Sequence, residues 1–349
     1  MSKRLLLKDM VSTDKIEHVP SNYIRPLTQR PNLQDVVHDP IPVIDLQDLR
    51  GPNRGHVIEQ IGRACRDDGF FQVTNHGVPE AIIANMMRIT REFFELPEEE
   101  RLKVYSDDPA KVTRLSTSFN VRNEKVASWR DFLGLPCYPL EDYIHEWPNN
   151  PASFRDIAAE YCKSARGLAL ELIEAVSESL GLDKDYITRQ LGKHGQHMAL
   201  NYYPSCPQPD LTYGLPAHTD HYVLTVLLHD EVPGLQLLKD GKWVAVRPIP
   251  NTFIINIGDQ IQVMSNGKYK SGTHRVVVNC DKERISIPTF YSPSPDAVIG
   301  PAPQLVTDDE PAMYRQYTYG EYDGKVWSNG LEKCLDMFLV ENNSNHVAV

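Results

Sequence analysis

Apolar residues recur at helical spacing over much of the first half of the chain, and this pattern predicts three helices. We expect them over 56–68, 79–96 and 151–181, the second with a proline in its first turn and the third ending at a glycine. Two short apolar runs, 41–49 and 69–78, are typical of β-strands instead. The polar stretch 106–126 shows no periodicity, and we expect a loop there.

The pattern changes to short strands between Gln196 and about Val298. Apolar runs predict strands over 253–258, 273–279 and 284–291. Glycine-containing turn signals predict hairpin turns at 240–243 and 265–269. After Ala312 the chain is again helical in character and rich in tyrosine.

This order of elements predicts a mainly β fold with added α-helices. A β-barrel or jelly roll would be flanked by N-terminal and C-terminal helices. The corresponding regions are an N-terminal helical and strand region over 1–180, a barrel core over 195–300 and a helical tail over 301–349. We interpret them as one catalytic unit.

Composition narrows the class of protein. The chain has 349 residues, a formal net charge of −11 and no basic stripe, which argues against a nucleic-acid partner. It has no apolar run long enough for a membrane span, and its N-terminal apolar run is too short for a signal peptide. The six cysteines are scattered without a CxxC pair, as expected of free thiols in a reducing compartment. We expect a monomer in the cytoplasm, with the nucleus as an open second location, and a small-molecule substrate.

Candidate metal ligands lie in the β-rich region. His218 and Asp220 are two residues apart, so in a strand both side chains would face one side. His274, in another strand-like run, is the candidate for a third ligand. Two histidines and a carboxylate suit non-haem Fe(II), and zinc is the competing use. Taken singly, each of these residues could equally be structural.

Polar pairs at the same spacing occur on both sides of these ligands. Arg284 and Ser286 share one strand face, and an arginine beside a hydroxyl suits a bound carboxylate. Asn201 and Tyr203 form a similar pair upstream. Burying so many polar groups is costly unless a ligand or metal pairs with them. An ordinary salt bridge for Arg284 and a turn-anchoring role for Asn201 are the alternatives.

The order "NYY…HTD…H…RIS" resembles the plant 2-oxoglutarate- and Fe(II)-dependent dioxygenases, the group that includes flavanone 3-hydroxylase. The segments "GFFQVTNHGV", "NYYPSCPQPDLTYGLPAHTD" and "HRVVVN…RISIPTF" carry the likeness, which covers roughly residues 20 to 330. Within the family, "RLSTSFNV", "WRDFLGL" and "KHGQHMALNYYP" are most similar to the salicylate hydroxylases of the downy-mildew-resistance type.

The resemblance implies a jelly-roll barrel in which His218, Asp220 and His274 hold Fe(II). The cosubstrate 2-oxoglutarate would bind with its distal carboxylate on Arg284, Ser286 and Tyr203, with Asn201 beside it. Dioxygen would be the second substrate and ascorbate the reductant. Oxidative decarboxylation would give succinate and CO2 and leave one oxygen atom for the organic substrate.

The substrate contacts carry a weaker signal. Phe290 shares the face of Arg284 by strand parity, unless Pro288 disturbs the strand, and could form an aromatic wall. Arg114 could pair with a carboxylate such as that of salicylate, or simply with an acidic neighbour. Phe119 and Phe132 are further candidates for the pocket.

One residue departs from the family pattern. Gly272 stands where family members usually carry a bulkier side chain, and we expect it to open space beside His274 for a larger substrate. Five further histidines are interpreted as structural. Strict alternation points His221 away from the ligands, although it could reach a substrate pocket if the strand bulges, and the others are His76, His194, His197 and His229.

We therefore expect a dioxygenase that hydroxylates a small aromatic plant metabolite, with salicylate first and a flavanone-type flavonoid second. A specialised metabolite such as an alkaloid, with hydroxylation, demethylation or desaturation, is a third possibility. A catalytically silent binding protein and an oxidase of the aminocyclopropane type, which does not use 2-oxoglutarate, stay open as alternatives.

Overall fold

The structure, a computed structural model, describes residues 6–33, 36–37, 39–119, 121–122, 124–329 and 334–340. Its helices are α1 (Leu7–Ser12), α2 (Arg54–Asp67), α3 (Glu80–Glu95), α4 (Glu98–Leu102), α5 (Leu140–Tyr143), α6 (Phe154–Ser179), α7 (Tyr186–Gln190), α8 (Asp259–Met264) and α9 (Tyr319–Asn329).

Most of the strands lie in the second half of the chain, as predicted. They are β1 (Val36–Val37), β2 (Val43–Asp45), β3 (Phe70–Thr74), β4 (Arg114–Thr117), β5 (Asp131–Tyr138), β6 (Gly195–Tyr203), β7 (Leu215–His218), β8 (Leu224–His229), β9 (Leu235–Lys239), β10 (Lys242–Ala245), β11 (Phe253–Ile257), β12 (His274–Val276), β13 (Arg284–Ser292), β14 (Val298–Ile299) and β15 (Tyr317–Thr318).

Two sheets build the jelly roll. The smaller has the strand order β1-β10-β9-β12-β7, and the larger has the order β2-β3-β11-β8-β13-β6-β5-β4. Helix α6 packs on β8 and β13 and also contacts α2 and α3. The central strands of the larger sheet are therefore buried on both faces, which explains their nearly continuous apolar runs.

The N-terminal region is part of the barrel rather than a separate layer. Strands β2, β3, β4 and β5 all belong to the larger sheet, although they come from residues 1–180. Strand β3 pairs with β11, and β5 pairs with β6. Both contacts join residues far apart in sequence, so the N-terminal region and the barrel core share one hydrophobic core.

Two turn signals with similar sequences have different outcomes. Asp240 and Gly241 have positive φ angles and join β9 to β10, which confirms the hairpin predicted at 240–243. Asn266 and Gly267 also have positive φ angles, but they end helix α8, and the Gly267 N–H donates to the carbonyl oxygen of Gln262. The hairpin predicted at 265–269 is therefore wrong, because a left-handed Asn-Gly pair also suits the end of a helix.

The predicted loop at 106–126 is also wrong in part, since it contains the edge strand β4. This strand pairs with β5 through residues 114–117. Its sequence shows no apolar alternation because Leu115, which packs in the hydrophobic core, is its one apolar residue, while Arg114 lines the cavity. Among the helices of the described ranges, none has the length and apolar character needed to cross a membrane.

Candidate metal centre and active site

Strands β7 and β12 bring two histidines together. They pair antiparallel with His218 directly opposite His274, and the two ring centroids are 4.2 Å apart. Asp220 completes the group, with Oδ1 lying 3.8 Å from Nε2 of each histidine. One donor atom from each residue lies within 4.8 Å of the other two. The three predicted ligands therefore converge on a volume that one metal ion can fill.

The route by which Asp220 reaches this position differs from the prediction. Strand β7 ends at His218, so strand alternation does not place the aspartate. The Asp220 carbonyl oxygen instead accepts the N–H of Asp259 at 2.8 Å. Its Oδ2 accepts Thr225 Oγ1 at 2.7 Å and Asn256 Nδ2 at 3.1 Å. With Oδ2 occupied, Oδ1 is the oxygen that faces the two histidines.

Backbone carbonyls orient both imidazoles. Nδ1 of His218 lies 2.9 Å from the carbonyl oxygen of Pro216, and Nδ1 of His274 lies 3.0 Å from that of Gly272. A carbonyl can only accept, so each Nδ1 carries the proton and donates it. Each Nε2 is then left with its lone pair directed at Asp220, which is the tautomer that binds a metal.

The electrostatics of the group favour a cation. Burial, and then the neighbouring His274, lower the pKa of His218 to about 3. Burial alone would raise the pKa of Asp220, but the two histidines and its two hydrogen bonds outweigh it and lower the pKa overall. A carboxylate, a neutral His218 imidazole and the imidazole of His274 make a donor set that fits Fe(II).

The predicted cosubstrate residues also meet. Arg284 of β13 lies opposite Tyr203 of β6, and Ser286 lies opposite Asn201. Arg284 is 3% exposed, and its Nε donates to the carbonyl oxygen of Val232 at 3.2 Å. Its Nη1 is buried, and in the described parts of the chain it has no hydrogen-bond partner. A buried guanidinium nitrogen without a partner costs about 1–3 kcal/mol, so a carboxylate ligand such as that of 2-oxoglutarate fits here.

Asn201 lies within strand β6 and not in a turn. Its Oδ1 accepts Nη1 of Arg130 at 3.2 Å, and its Nδ2 donates to Ser286 Oγ at 3.3 Å. Arg130 is itself fixed, because Nε and Nη2 both donate to the carbonyl oxygen of Ser118. A buried chain of hydrogen bonds thus runs from the loop before β5 to the cosubstrate residues.

A cavity of about 370 Å³ opens beside the metal group. Aromatic side chains form much of its wall. Tyr222 stacks on Phe290 with ring centroids 4.4 Å apart, and Phe119 stacks on Trp327 at 5.3 Å. Cations line the cavity as well, from Arg114, Arg130 and Lys111.

Comparison with known proteins agrees with this geometry. Residues 194–293 match the 2OG-Fe(II) oxygenase superfamily, and residues 41–150 match the family described as non-haem dioxygenase in morphine synthesis N-terminal. Protein DMR6-LIKE OXYGENASE 2 of Arabidopsis thaliana is 59% identical over 343 residues, which is 97% of this chain and 98% of the relative. The chain belongs to the 2OG-Fe(II) oxygenase superfamily. The oxygenase is a 2-oxoglutarate-dependent dioxygenase, with Fe(II) as its metal.

Two further relatives bear on its chemistry. Flavanone 3-dioxygenase 2 of Oryza sativa subsp. japonica is 55% identical and covers 94% of this chain and 96% of its own length. The crystal structure of JOX2 in complex with 2OG, Fe and JA superposes with a TM-score of 0.88 at 34% identity, covering 97% of this chain and 98% of JOX2. These likenesses confirm the jelly-roll fold and the cofactor class of the oxygenase.

The structure brings four of the five predicted substrate residues into the cavity of the oxygenase, namely Arg114, Phe119, Phe132 and Phe290. Phe290 keeps its inward position because β13 runs unbroken through Pro288. On the β8 side Pro288 faces Leu227, while the pairing with β6 skips residues 287 and 288. The proline therefore interrupts part of one ladder without changing the strand parity.

Gly272 is the fifth predicted residue, and it does not line the cavity. A Cβ atom there would lie 2.8 Å from Phe70 Cδ2, 2.9 Å from the carbonyl oxygen of Asp68 and 3.1 Å from Leu237 Cδ1. The expectation that this glycine opens space for a larger substrate is wrong. The space beside Gly272 is already filled by the chain next to Phe70, and the glycine permits that close packing.

Several residues of the cavity were not predicted. His197 and Ala199 lie on the same face of β6 as Asn201 and Tyr203, so strand parity could have identified them. His221 was expected to point away, but it lines the cavity because β7 has ended and alternation no longer applies. No comparable pattern in the sequence identifies Arg130 or the residues of α9, which are Tyr319, Tyr322, Asp323, Val326 and Trp327.

Three other histidines lie away from the cavity, as expected. His76 contacts the carbonyl oxygen of Asn251 and the N–H of Val78. His194 contacts Arg166 and Tyr291, and His229 contacts the carbonyl oxygen of Asp230. The partners of His76 and His194 account for them without a ligand, whereas Nε2 of His229 is buried and has no hydrogen-bond partner in the described ranges.

Asp220→Asn and His274→Ala should each abolish tight iron binding, because each removes one of three donors. We expect the Fe(II) affinity, measured anaerobically by calorimetry, to fall by more than about 100-fold. This is a larger loss than is typical when a residue that hydrogen-bonds to a metal ligand is replaced. Succinate formation should disappear in parallel. His76→Gln is the control, and an unchanged Fe(II) affinity in Asp220→Asn would contradict the assignment.

Gly272→Ala should lower stability without changing substrate preference. The added methyl group overpacks the contact with Phe70 and Asp68, at a cost of about 1–3 kcal/mol and a few degrees in Tm. Gly55→Ala is a matched control, because nothing lies within 4 Å of its Cβ position in helix α2. We expect that control to be neutral or slightly stabilising. A Gly272→Ala variant with unchanged stability and an altered substrate preference would contradict this prediction. It would support the expectation that the glycine opens space for a larger substrate.

Proposed function

We propose that the oxygenase hydroxylates a small aromatic plant metabolite with an acidic group, salicylate being the first candidate. The observation that carries this proposal is the guanidinium of Arg114 in the cavity wall. Arg114 is 6% exposed, and its one hydrogen bond among the described residues runs from Nη1 to the carbonyl oxygen of Asp108 at 2.7 Å. A buried cation that pairs with no carboxylate is well suited to an anionic ligand.

The surroundings of Arg114 favour an aromatic anion. The ring of Phe132 lies close to two guanidiniums, with its centroid 5.6 Å from Arg114 Cζ and 4.8 Å from Arg130 Cζ. Because Arg130 is already committed to Ser118 and Asn201, Arg114 is the better anchor for the substrate. Phe132 and Phe290 supply apolar faces for a planar ring. The likeness to the salicylate hydroxylases of the downy-mildew-resistance type supports the same substrate class.

The residues of the oxygenase position the substrate and exclude water, while the bound cofactors carry the oxidation. Fe(II) and 2-oxoglutarate, when bound, activate dioxygen as the cosubstrate is converted to succinate and CO2. Arg284 would hold the cosubstrate carboxylate, and Arg114 would hold the acidic group of the substrate. The aromatic walls fix the plane of the ring and so decide which carbon faces the metal group.

A flavanone-type flavonoid is the second candidate. A cavity of about 370 Å³ is in the range of sites for ligands larger than a single ring. The two stacked aromatic pairs offer flat walls for a planar molecule, and the rice relative is named a flavanone 3-dioxygenase. The reason for considering an alkaloid substrate no longer holds, because Gly272 does not enlarge the cavity.

The proposal is tested by incubating the purified oxygenase with Fe(II), ascorbate and 2-oxoglutarate in the presence of salicylate or a flavanone. We expect a product 16 mass units heavier than salicylate, formed together with an equimolar amount of succinate. Product from the flavanone alone would reject salicylate and favour the second candidate. Absence of product from both would reject the proposal.

Arg114→Met should raise KM for salicylate by about 10- to 150-fold, the effect expected from losing a hydrogen bond to a charged group. KM for 2-oxoglutarate should stay within about threefold, because Arg284 is unchanged. Arg63→Met, on the surface of α2, is the control and should leave both values unaltered. An equal rise in both KM values would indicate a general structural effect and contradict the anchor role.

A further inference from the structure

A second polar group faces the cavity from two different elements. His221 follows the metal group in the chain, and Asp323 lies on helix α9. Nε2 of His221 is 3.3 Å from Oδ1 of Asp323. This nitrogen is buried and forms no hydrogen bond within the described ranges, and the His221 residue is 9% exposed. The two atoms therefore lie within ion-pair distance, but no hydrogen bond joins them.

Helix α8 holds both partners in place. Gln260 Nε2 donates to the carbonyl oxygen of His221 at 2.8 Å, and its Oε1 accepts the Tyr317 hydroxyl at 2.9 Å, just before α9. Asp259 accepts the Tyr322 hydroxyl of α9 at 2.6 Å. The main chain of His221 and the start of α9 are thus tied to adjacent residues.

The ring of His221 is also fixed on its face. It lies 3.8 Å from the ring of Tyr222, centroid to centroid, and Tyr222 stacks in turn on Phe290. A row of three rings therefore runs from the aromatic wall of the cavity to the His221–Asp323 pair. A planar substrate lying against Phe290 would direct one of its edges toward this pair.

The chemistry of the pair selects the group that can lie beside it and contact both of its members. A hydroxyl can accept a hydrogen bond from an imidazole N–H and donate one to a carboxylate at the same time. An ether or a carbonyl can only accept, so it would leave the carboxylate without a donor. A cationic amine is disfavoured, because Lys111, Arg114 and Arg130 line the same cavity.

We propose that His221 and Asp323 form a hydroxyl-recognition subsite, which holds a phenolic or alcoholic group of the substrate. The inference rests on the proposed function only in requiring an aromatic substrate in this cavity. It adds a second polar anchor to Arg114. Substrates that carry a hydroxyl in reach of the pair are bound more tightly than the same molecules without it.

The two anchors, Arg114 and the His221–Asp323 pair, lie on different sides of His197, which lines the cavity. His197 of β6 is paired with Phe290 of β13, toward the subsite. On its other side, Cε1 of His197 lies 3.4 Å from the Cβ position of Gly134, and Gly134 is paired with Arg114 of β4. A substrate bound at both anchors has one orientation in the cavity, so the subsite would influence which carbon is hydroxylated.

The experiment compares ligands that differ by one hydroxyl group. Dissociation constants are measured by anaerobic calorimetry on the full-length enzyme loaded with Fe(II) and 2-oxoglutarate. The pairs are 4-hydroxybenzoate with benzoate, in which the hydroxyl lies opposite the carboxylate, and naringenin with its 4′-deoxy analogue. We expect the wild-type enzyme to prefer the hydroxylated member of at least one pair by about 10-fold or more, as for a hydrogen bond to a charged group.

Two variants remove the subsite in different ways. Asp323→Asn is nearly isosteric, and His221→Phe keeps the stacking on Tyr222. Each should reduce the preference to about one, while the affinity for the deoxy member and for 2-oxoglutarate stays within about threefold. Glu321→Gln is the matched control on the same helix, because that carboxylate pairs with Arg315 on the surface, and it should keep the preference.

Several outcomes would overturn the inference. They are a wild-type enzyme with no hydroxyl preference in either pair, a preference that survives both variants, and an equal loss of affinity for both members of a pair. Salicylate turnover is measured on the same preparations. A clear hydroxyl preference for naringenin without salicylate turnover would reject salicylate as substrate and retain the subsite.

Discussion

The pairing of β7 with β12 is the constraint on which the active site depends. It places His218 opposite His274 and, through the carbonyl oxygens of Pro216 and Gly272, fixes which nitrogen of each ring carries the proton. Both imidazoles are therefore oriented by backbone carbonyls, one within β7 and one just before β12. Asp220 is oriented separately by side chains of β8 and β11, so the three donors are held by both sheets of the barrel. A donor set built in this way is rigid before any metal binds.

Two of the buried nitrogen atoms that lack a hydrogen-bond partner in the described ranges lie at positions where a ligand fits. Protein interiors rarely leave buried polar atoms unpaired, because each one costs free energy. Arg284 Nη1 is such an atom beside the cosubstrate residues, and His221 Nε2 is another at the cavity wall. The first is a permanent cation and suits a carboxylate, while the second is an imidazole nitrogen beside a carboxylate and suits a hydroxyl. The difference in their chemistry separates a cosubstrate position from a substrate position.

Strand parity is the part of the site that the sequence predicts well. Arg284, Ser286 and Phe290 share a face of β13, and the same rule extends from Asn201 and Tyr203 to His197. Parity fails as soon as a strand ends, which is why His221 was assigned to the wrong side. It also gives no information on tertiary packing. Gly272 could not be interpreted correctly without knowing that Phe70 and Asp68 lie against it. The barrel core was predictable for the same reason as the ligands, whereas the edge strand β4 was not, because only one of its four residues is apolar.

The cavity residues that were not predicted lie mainly on elements that are distant in sequence from the metal ligands. Arg130 belongs to the chain before β5, and Asp323 and Trp327 belong to α9, more than 100 residues from the metal ligand His218. Their positions result from docking, which no local pattern encodes. This arrangement separates two tasks only in part. The central strands β6, β8 and β13 and the short strands β7 and β12 hold the metal and cosubstrate residues, and β6 and β13 also present His197 and Phe290 to the cavity. The edge strand β4 and helix α9 contact the cavity without supporting the metal group, so their side chains can change the shape and polarity of the cavity while the oxidation chemistry is preserved.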